Sequence, residues 1–590
     1  MHVVATAGHV DHGKSTLVRA LTGRDPDRFA EEKRRGLTID LGFAWTELPG
    51  AGPVALVDVP GHERFVPTML AGAGPVPATL FVVAADGGWM PQSAEHLAAL
   101  DALGVRHGLL VVTRADLADP APATERALAE LARTSLGRVP AVACSAVTGQ
   151  GLDEVRAALA RLLAALPVPR AEAPVRLWVD RSFTVKGAGT VVTGTLGAGG
   201  VAVGDELELR GTRVRVRSVQ SLEAEVERAT ALARVALNLR GVDRSDVRRG
   251  DALLTPGTHV HTDVVDVRLP AGEEGRQDAG QLVVHVGSAA VPARVRPLGA
   301  DGDDALLRLQ LAQPLPLRLG DRLLLRDPAR HVVLGGATAL DVRPPALRRR
   351  GAAAARAAQL SLLRGEPDEA SELRRRQLVR APLLRAMGVP VRSRPVAGDW
   401  YADPAHWARL GPALLEAVRA HRAAHPLQPG PSLEEARRTL GLPDRALVEA
   451  LVAPPLRLAD GRVVERTDTL PPAVERAVEA VLADLARQPF AAPDVERLRE
   501  LRLGRTELAA AVRAGRLERV ADGLVLAPGY RQRAADLLAR LPQPFATADA
   551  RRALGTSRRV AVPLLEELDR TGITRRGLDD RRTVTTGQGR

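Results

Sequence analysis

The spacing of apolar residues changes twice along this chain, and each change restricts what the surrounding segment can fold into. Through about residue 165, short apolar runs (Val3 to Thr6, Val54 to Val57, Leu80 to Ala85, Leu109 to Thr113, Val139 to Cys144) alternate with stretches of helical period (Ser15 to Leu21, Ser93 to Leu103, Thr124 to Leu131, Leu152 to Leu163). Strand and helix repeated in this way predict a largely parallel sheet covered by helices on both faces. Leu166-Pro167-Val168-Pro169-Arg170 ends that pattern, and from Val175 to Val342 the text turns to β-branched runs punctuated by glycine, such as Thr190-Val191-Val192-Thr193-Gly194. Such text suits antiparallel barrels, two of them dividing near Pro256-Gly257. After Pro344-Pro345 the period is helical, with hairpin signals at Ala459 to Val464 and Ala521 to Leu526. Helices followed by a two-stranded wing predict winged-helix modules, about four in the remaining length. The expected division is an α/β domain at 1–170, β-barrels at 171–256 and 257–345, and tandem winged helices at 346–590.

Gly8-His9-Val10-Asp11-His12-Gly13-Lys14-Ser15 fits G-x-x-x-x-G-K-[ST], directly after a predicted strand and before a predicted helix, which is the context a phosphate-binding loop requires. Polyphosphate charge is met there by backbone N–H groups at a helix N-terminus, with Lys14 on the β/γ oxygens, and Ser15 on Mg²⁺ beside Thr16. Asp58-Val59-Pro60-Gly61 follows a strand and suits an aspartate that positions Mg²⁺ and a glycine amide near the γ-phosphate. Thr38, in the loop Gly36-Leu37-Thr38-Ile39, can complete the metal shell and report the γ-phosphate. Thr113-Arg114-Ala115-Asp116 ends another strand, where Asp116 can accept hydrogen bonds from N1–H and the 2-amino group of guanine. Ser145-Ala146 completes a base pocket through its backbone, so the expected nucleotide is GTP with Mg²⁺.

The remaining composition excludes other classes. A single cysteine, Cys144, staples nothing, and reads as a small buried residue beside the base pocket. No run reaches the ~18 apolar residues of a spanning helix, and the Met1 start lacks a secretory layout, so a cytoplasmic, membrane-free protein is expected. Residues 1–345 carry 39 Lys+Arg against 40 Asp+Glu, whereas residues 346–590 carry 43 against 30, so the net charge of +12 belongs to the tail. Lysine occurs only at Lys14, Lys33 and Lys186.

His9-Val10-Asp11-His12 in the loop, together with Asp58-Val59-Pro60-Gly61-His62-Glu63, resembles the translational GTPases. The resemblance implies that His62 orients the attacking water and that Val10 and Leu37 form an apolar gate holding it back until the ribosome acts. One departure is the base motif, where Thr113 and Arg114 stand in place of the usual Asn or Thr followed by Lys. Asp180-Arg181-Ser182-Phe183-Thr184-Val185-Lys186-Gly187 and Arg234-Val235-Ala236-Leu237-Asn238 are similar to the second domain of the selenocysteine-specific elongation factors, and Leu554 to Ala561 to that family's last winged helix. The resemblance implies selenocysteinyl-tRNA, the ribosome and a selenocysteine insertion hairpin in mRNA as partners of a monomer.

A selenol is largely ionised at neutral pH, whereas serine is neutral and cysteine, with a pKa of about 8.5, is mostly protonated. Guanidinium groups therefore separate the selenocysteinyl from the seryl adaptor by charge, and Arg181 and Arg234, oriented by Asp180, are the candidate pocket; barrel-rim ion pairs are the competing reading. In the tail, residues 531–590 hold 13 Arg against 7 Asp+Glu, which suits phosphate contacts. Arg558 and Arg559 open a predicted helix that Ser557 can cap, the position from which winged helices reach nucleic acid, with Arg552, Arg575 and Arg582 as further candidates. RNA offers splayed loop bases in place of a readable major groove. Three rivals stand beside this reading: a general elongation or initiation GTPase, a GTP-switched winged-helix regulator of duplex DNA, and a GTPase subunit that activates nucleotide transfer.

Overall fold

The computed structural model describes residues 1–590 except 27–37, 63–64, 75, 186–188, 272–280, 466–469, 578 and 586–590. Lys33, Gly36, Leu37, Glu63, Lys186 and Gly187 thus lie outside the described residues. The chain forms two units, residues 1–375 with 379–393, and residues 376–378 with 394–590. No described helix is long and apolar enough to cross a membrane.

The first unit begins with β1 (His2–Ala7), α1 (Lys14–Thr22), β2 (Gly42–Leu48), β3 (Gly52–Asp58), α2 (Val66–Ala73), β4 (Ala78–Ala84), α3 (Pro91–Leu103), β5 (His107–Thr113), α4 (Ala121–Leu131), β6 (Ala141–Ala143) and α5 (Leu152–Ala164). The strands lie in the order β2-β3-β1-β4-β5-β6, parallel except for the edge strand β2, which runs antiparallel to β3. Every residue of β4 is buried, as a central strand with helices on both faces demands. Met69, Leu70, Leu97 and Leu100 pack one face, and Leu17, Val18, Val155 and Leu159 the other. Loops at the carboxyl ends of the parallel strands then form the usual crevice of such a sheet.

Two antiparallel barrels follow. In the first, strand Thr212–Ser221 pairs both Ala233–Arg240 and Glu206–Leu209, which closes the sheet. In the second, six strands from Val260 to Asp341 form a closed barrel whose first strand, Val260–Leu269, pairs the last, Val332–Asp341. Two helices come next, α6 (Ala352–Leu360) and α7 (Glu369–Arg376). Their helical period placed them at the head of the winged-helix array, yet α6 is fastened to the second barrel. Arg356, 2% exposed, reaches Asp266 at 2.7 Å and Asp341 at 2.5 Å, both on barrel strands and both fully buried. Arg308 holds Asp266 at 2.7 Å, and Arg375 of α7 pairs with Asp341 and, at 2.5 Å, with Glu372. Buried ions of this kind persist only when each charge is matched.

In the second unit, helix-turn-helix-hairpin recurs. Leu433–Thr439 and Arg445–Leu451 precede the hairpin Leu456–Ala459/Arg462–Glu465; Val495–Glu500 and Arg505–Arg513 precede Glu518–Ala521/Leu524–Leu526; Thr547–Ala553 and Arg558–Arg570 precede Thr574–Arg576/Arg582–Val584. The last two repeats share one apolar core, with Leu485, Leu508, Tyr530, Phe545 and Leu565 in it.

Two outcomes test this packing. Arg356→Met strands Asp266 and Asp341 with one arginine each and is expected to lower unfolding stability by about 3 kcal/mol, with faster hydrogen exchange confined to residues 352–360. His285, inside the second barrel and 3% exposed, is held down at about 4 by burial and by Arg326. The unfolded chain takes up that proton below about pH 6.5 while the folded chain does not, so this group's stability is complete above 6.5 and is lost as pH falls toward 4. Urea titrations are expected to show wild type losing about 2 kcal/mol more than His285→Leu between pH 7 and pH 5.

Candidate functional site

The phosphate loop joins β1 to α1. At Gly8 the backbone takes φ +131°, and a Cβ there would lie 2.1 Å from the Val82 carbonyl, so only glycine fits. Gly13, at the N-cap of α1, is left-handed, with φ 78°, and no side chain caps the helix. The N–H groups of Asp11 through Thr16 consequently have no acceptor among the described residues. A row of such amides at a helix N-terminus is the donor set an oxyanion needs, so these residues fit a nucleotide polyphosphate.

Lys14 is buried, and its Nζ donates to Gly8 O at 3.0 Å and His9 O at 2.7 Å. Burial lowers its pKa to about 8 against the pull of Asp58 and Asp11. Ser15 Oγ lies 2.6 Å from Asp58 Oδ2 and 2.9 Å from Thr38 Oγ1. Thr6 Oγ1 donates to the other Asp58 oxygen at 2.8 Å and accepts from Val59 N, which fixes the carboxylate. Two hydroxyls and a carboxylate in contact form a hard oxygen set of the kind Mg²⁺ takes. Gly61 presses against this cluster: a Cβ there would stand 2.5 Å from Lys14 Nζ and 2.6 Å from Val10 N. His62 is half-buried, its ring 6.0 Å from that of Phe65, and its carbonyl accepts from Phe65 N. Val10 is half-buried; Leu37, its expected partner in the gate, is outside the described residues.

At the base motif, the buried hydroxyl of Thr113 donates to His12 O at 2.7 Å, so it ties β5 to the phosphate loop. Arg114, with φ 57°, reaches Asp86 at 3.0 Å and the Asp11 carbonyl. Asp116 is exposed at the loop surface. Ser145 gives its amide to Gln150 O, while the Ala146 amide has no acceptor among the described residues. His9 and His12 stand 5.0 Å apart, and burial lowers His12 to about 4. Burial raises the Cys144 thiol to about 11, the state of an inert core residue. Two further contacts join residues that no local spacing pairs: Gln92 Oε1 accepts from Val10 N at 3.2 Å and His96 Nδ1 from Gly8 N at 3.1 Å.

A second site is a cleft of about 490 Å³ between the edge of the α/β sheet and the first barrel. Arg234 binds Asp180 through both terminal nitrogens, Nη2 at 2.8 Å, and Thr193 Oγ1 holds the same carboxylate at 2.6 Å. Arg181 pairs with Asp40 at 3.0 Å and with the Leu41 carbonyl. Both guanidinium groups lie over the ring of Phe43, at 3.8 Å for Arg234 and 5.2 Å for Arg181. Phe43 sits on β2, a strand the apolar-run reading passed over, and its alternation with Trp45 was the signal available.

In the last module, Arg558 and Arg559 are exposed at the start of their helix. Ser557 occupies the N-cap without a side-chain hydrogen bond, contrary to expectation. Arg559 donates to Pro493 O at 2.8 Å, Arg552 pairs with Asp549, and Arg575 is exposed on the hairpin. Arg582 is corrected: it is 4% exposed, with Nε 2.7 Å from Asp569 and Nη1 3.0 Å from Thr547, so it braces the hairpin against the helices and cannot reach RNA.

Family descriptions match along the chain: the elongation factor Tu GTP-binding domain at residues 1–165, elongation factor Tu domain 2 at 189–254, the selenocysteine-specific elongation factor β-barrel domain at 263–346, and the elongation factor SelB winged helix at 536–583. The selenocysteine-specific elongation factor of Escherichia coli K12 is 32% identical over 98% of this chain and 98% of its own length. That of Desulfomicrobium baculatum is 39% identical over 55% of this chain, an alignment spanning about half (53%) of that relative. A crystal structure of a bacterial selenocysteine-specific elongation factor superposes with a TM-score of 0.78 at 27% identity, covering 99% of this chain and all of the other. The loop, the metal-suited oxygen cluster and the end-to-end match together place this chain in the selenocysteine-specific elongation factor family of translational GTPases.

Proposed function

We propose that this chain carries selenocysteinyl-tRNA to the ribosome in its GTP-bound form and is tethered by its tail to a hairpin in the message. The observation that carries the proposal is the pair of guanidinium groups stacked on Phe43 in a cleft between the GTPase domain and the first barrel. An ionised selenol entering that cleft meets two cations already oriented by Asp180 and Asp40, while a neutral seryl group can take a hydrogen bond from them but no charge–charge attraction. Because Phe43 lies on β2, directly after the loop that bears Thr38 and Asp40, the nucleotide state and the pocket share one stretch of chain.

The amides of Asp11 to Thr16 cradle the polyphosphate, and Lys14 lies against it. Ser15, Thr38 and Asp58 would hold Mg²⁺, which supplies charge neutralisation on the β and γ oxygens. Asp116 and the Ala146 amide read guanine, with Arg114 reaching back to brace the loop. His62 orients the water that attacks the γ-phosphate, and Gly61 keeps that segment against Lys14. The winged helices raise the local concentration of the complex at one codon through their hold on the message. Arg558, Arg559 and Arg575 are the RNA contacts, with Arg552 beside them.

Two measurements test this. Wild type with GTP is expected to protect selenocysteinyl-tRNA from deacylation at least about tenfold better than seryl-tRNA, and Arg234→Met to bring the two rates together; equal protection by wild type refutes the pocket. In filter binding across a salt series, Arg558→Gln is expected to weaken hairpin RNA binding about tenfold and to flatten the salt slope. Preference for duplex DNA would instead favour a regulatory role.

A further inference from the structure

The six consecutive amides of Asp11 to Thr16 are open among the described residues, but two earlier amides are taken, and both acceptors belong to one helix. Gly8 N–H donates to His96 Nδ1 at 3.1 Å and Val10 N–H to Gln92 Oε1 at 3.2 Å. Residues 92 and 96 are one turn apart, so they share a face of α3. The far end of the same helix is clamped to the second barrel. Arg322 Nε donates to Ala102 O at 3.1 Å, and Gly336 packs so closely that a Cβ would stand 2.0 Å from that carbonyl. Glu95 lies 3.6 Å from Arg326.

His96 is 1% exposed, and burial pushes its pKa down to about 3, so the ring is neutral. With Nδ1 accepting from Gly8, the ring proton sits on Nε2, which is buried without a partner among the described residues. An apolar side chain would fill this space with no orphaned donor. The ring is therefore there for Nδ1. The segment it steadies includes Asp11 at φ 61°, a left-handed conformation that a residue with a side chain seldom adopts, and such backbone keeps its shape only when its surroundings fix it.

We infer that Gln92 and His96 are positioning residues of the phosphate loop, and that α3 makes nucleotide affinity depend on its seat on the second barrel. The inference rests on the reading of residues 8–15 as the GTP phosphate site. Removing either acceptor lets the Gly8–Val10 segment turn, and the open amides no longer converge. Seating at Ala102 sets where the two acceptors stand, so loosening the barrel contact loosens the loop.

The test uses the full chain and fluorescent GTP and GDP analogues, with affinities and dissociation rates measured beside thermal unfolding. Gln92→Leu, at a half-buried position, and His96→Leu are each expected to weaken both nucleotides about tenfold. His96→Asn, whose amide oxygen can stand where Nδ1 stands, is expected to recover binding to within about threefold of wild type. Arg322→Met is expected to speed nucleotide release about threefold. Wild-type affinity in Gln92→Leu overturns the inference even if His96→Leu does not fold, as does His96→Asn binding as poorly as His96→Leu. Unchanged release in Arg322→Met overturns the dependence on the barrel. Failure of wild type to bind either analogue would instead overturn the reading of the phosphate site.

Discussion

A phosphate site requires something folding otherwise avoids: a row of converging backbone amides with no acceptor among the described residues. Left to itself, a loop closes such groups onto its own carbonyls or side chains. Here that outcome is blocked from several directions. Gly8 lies against the Val82 carbonyl where no side chain fits, and Gly13 turns left-handed at the helix start. Thr113 holds the loop from β5, and Gly61 presses on it from the segment after β3. Most of the first domain's unusual contacts make sense as means of keeping amides 11–16 pointed one way.

The arginine cleft obeys a related constraint. A cation meant for an anionic ligand must be held in place before the ligand arrives, yet a carboxylate that holds it also competes for its charge. Asp180 binds Arg234 in a two-pronged pair and is itself held by Thr193. Arg181 shares Asp40 with Arg249, at 3.6 Å. Phe43 adds attraction from its ring face without adding a negative charge. On the proposed reading, the same ion pairs that could stand alone as barrel-rim bridges would orient the pocket.

How much of this was legible beforehand depended on sequence distance. The phosphate loop and Asp58-Val59-Pro60-Gly61 are short patterns whose spacing is their chemistry, and the alternation of strands and helices gave the sheet around them. The acceptors Gln92 and His96 lie 82 and 88 residues from the amides they hold, so only the fold reveals the pairing. Phe43 was hidden on an antiparallel edge strand whose apolar run is short. The helices at 352–375 were recognisable as helices, but their period says nothing about the face they cover, which Asp266 and Asp341 decide.

Arginine shows the same limit most sharply, because one residue type performs opposite tasks in this chain. Arg356 and Arg582 are buried, and each has an aspartate within 2.7 Å. Arg558 is exposed at a helix start, with no carboxylate partner among the described residues. Composition counts all three alike, and so does the charge excess of the tail. A guanidinium can be buried only where a carboxylate meets it, so each buried arginine consumes an acid and leaves the net charge of its surroundings unchanged. Arg356, however, takes its acids, Asp266 and Asp341, from outside the tail, so part of the tail's surplus sits in buried ion pairs with the barrel and the rest among arginines at the surface. A basic excess in this tail therefore speaks for its exterior only after the arginines spent on the barrel's aspartates are set aside.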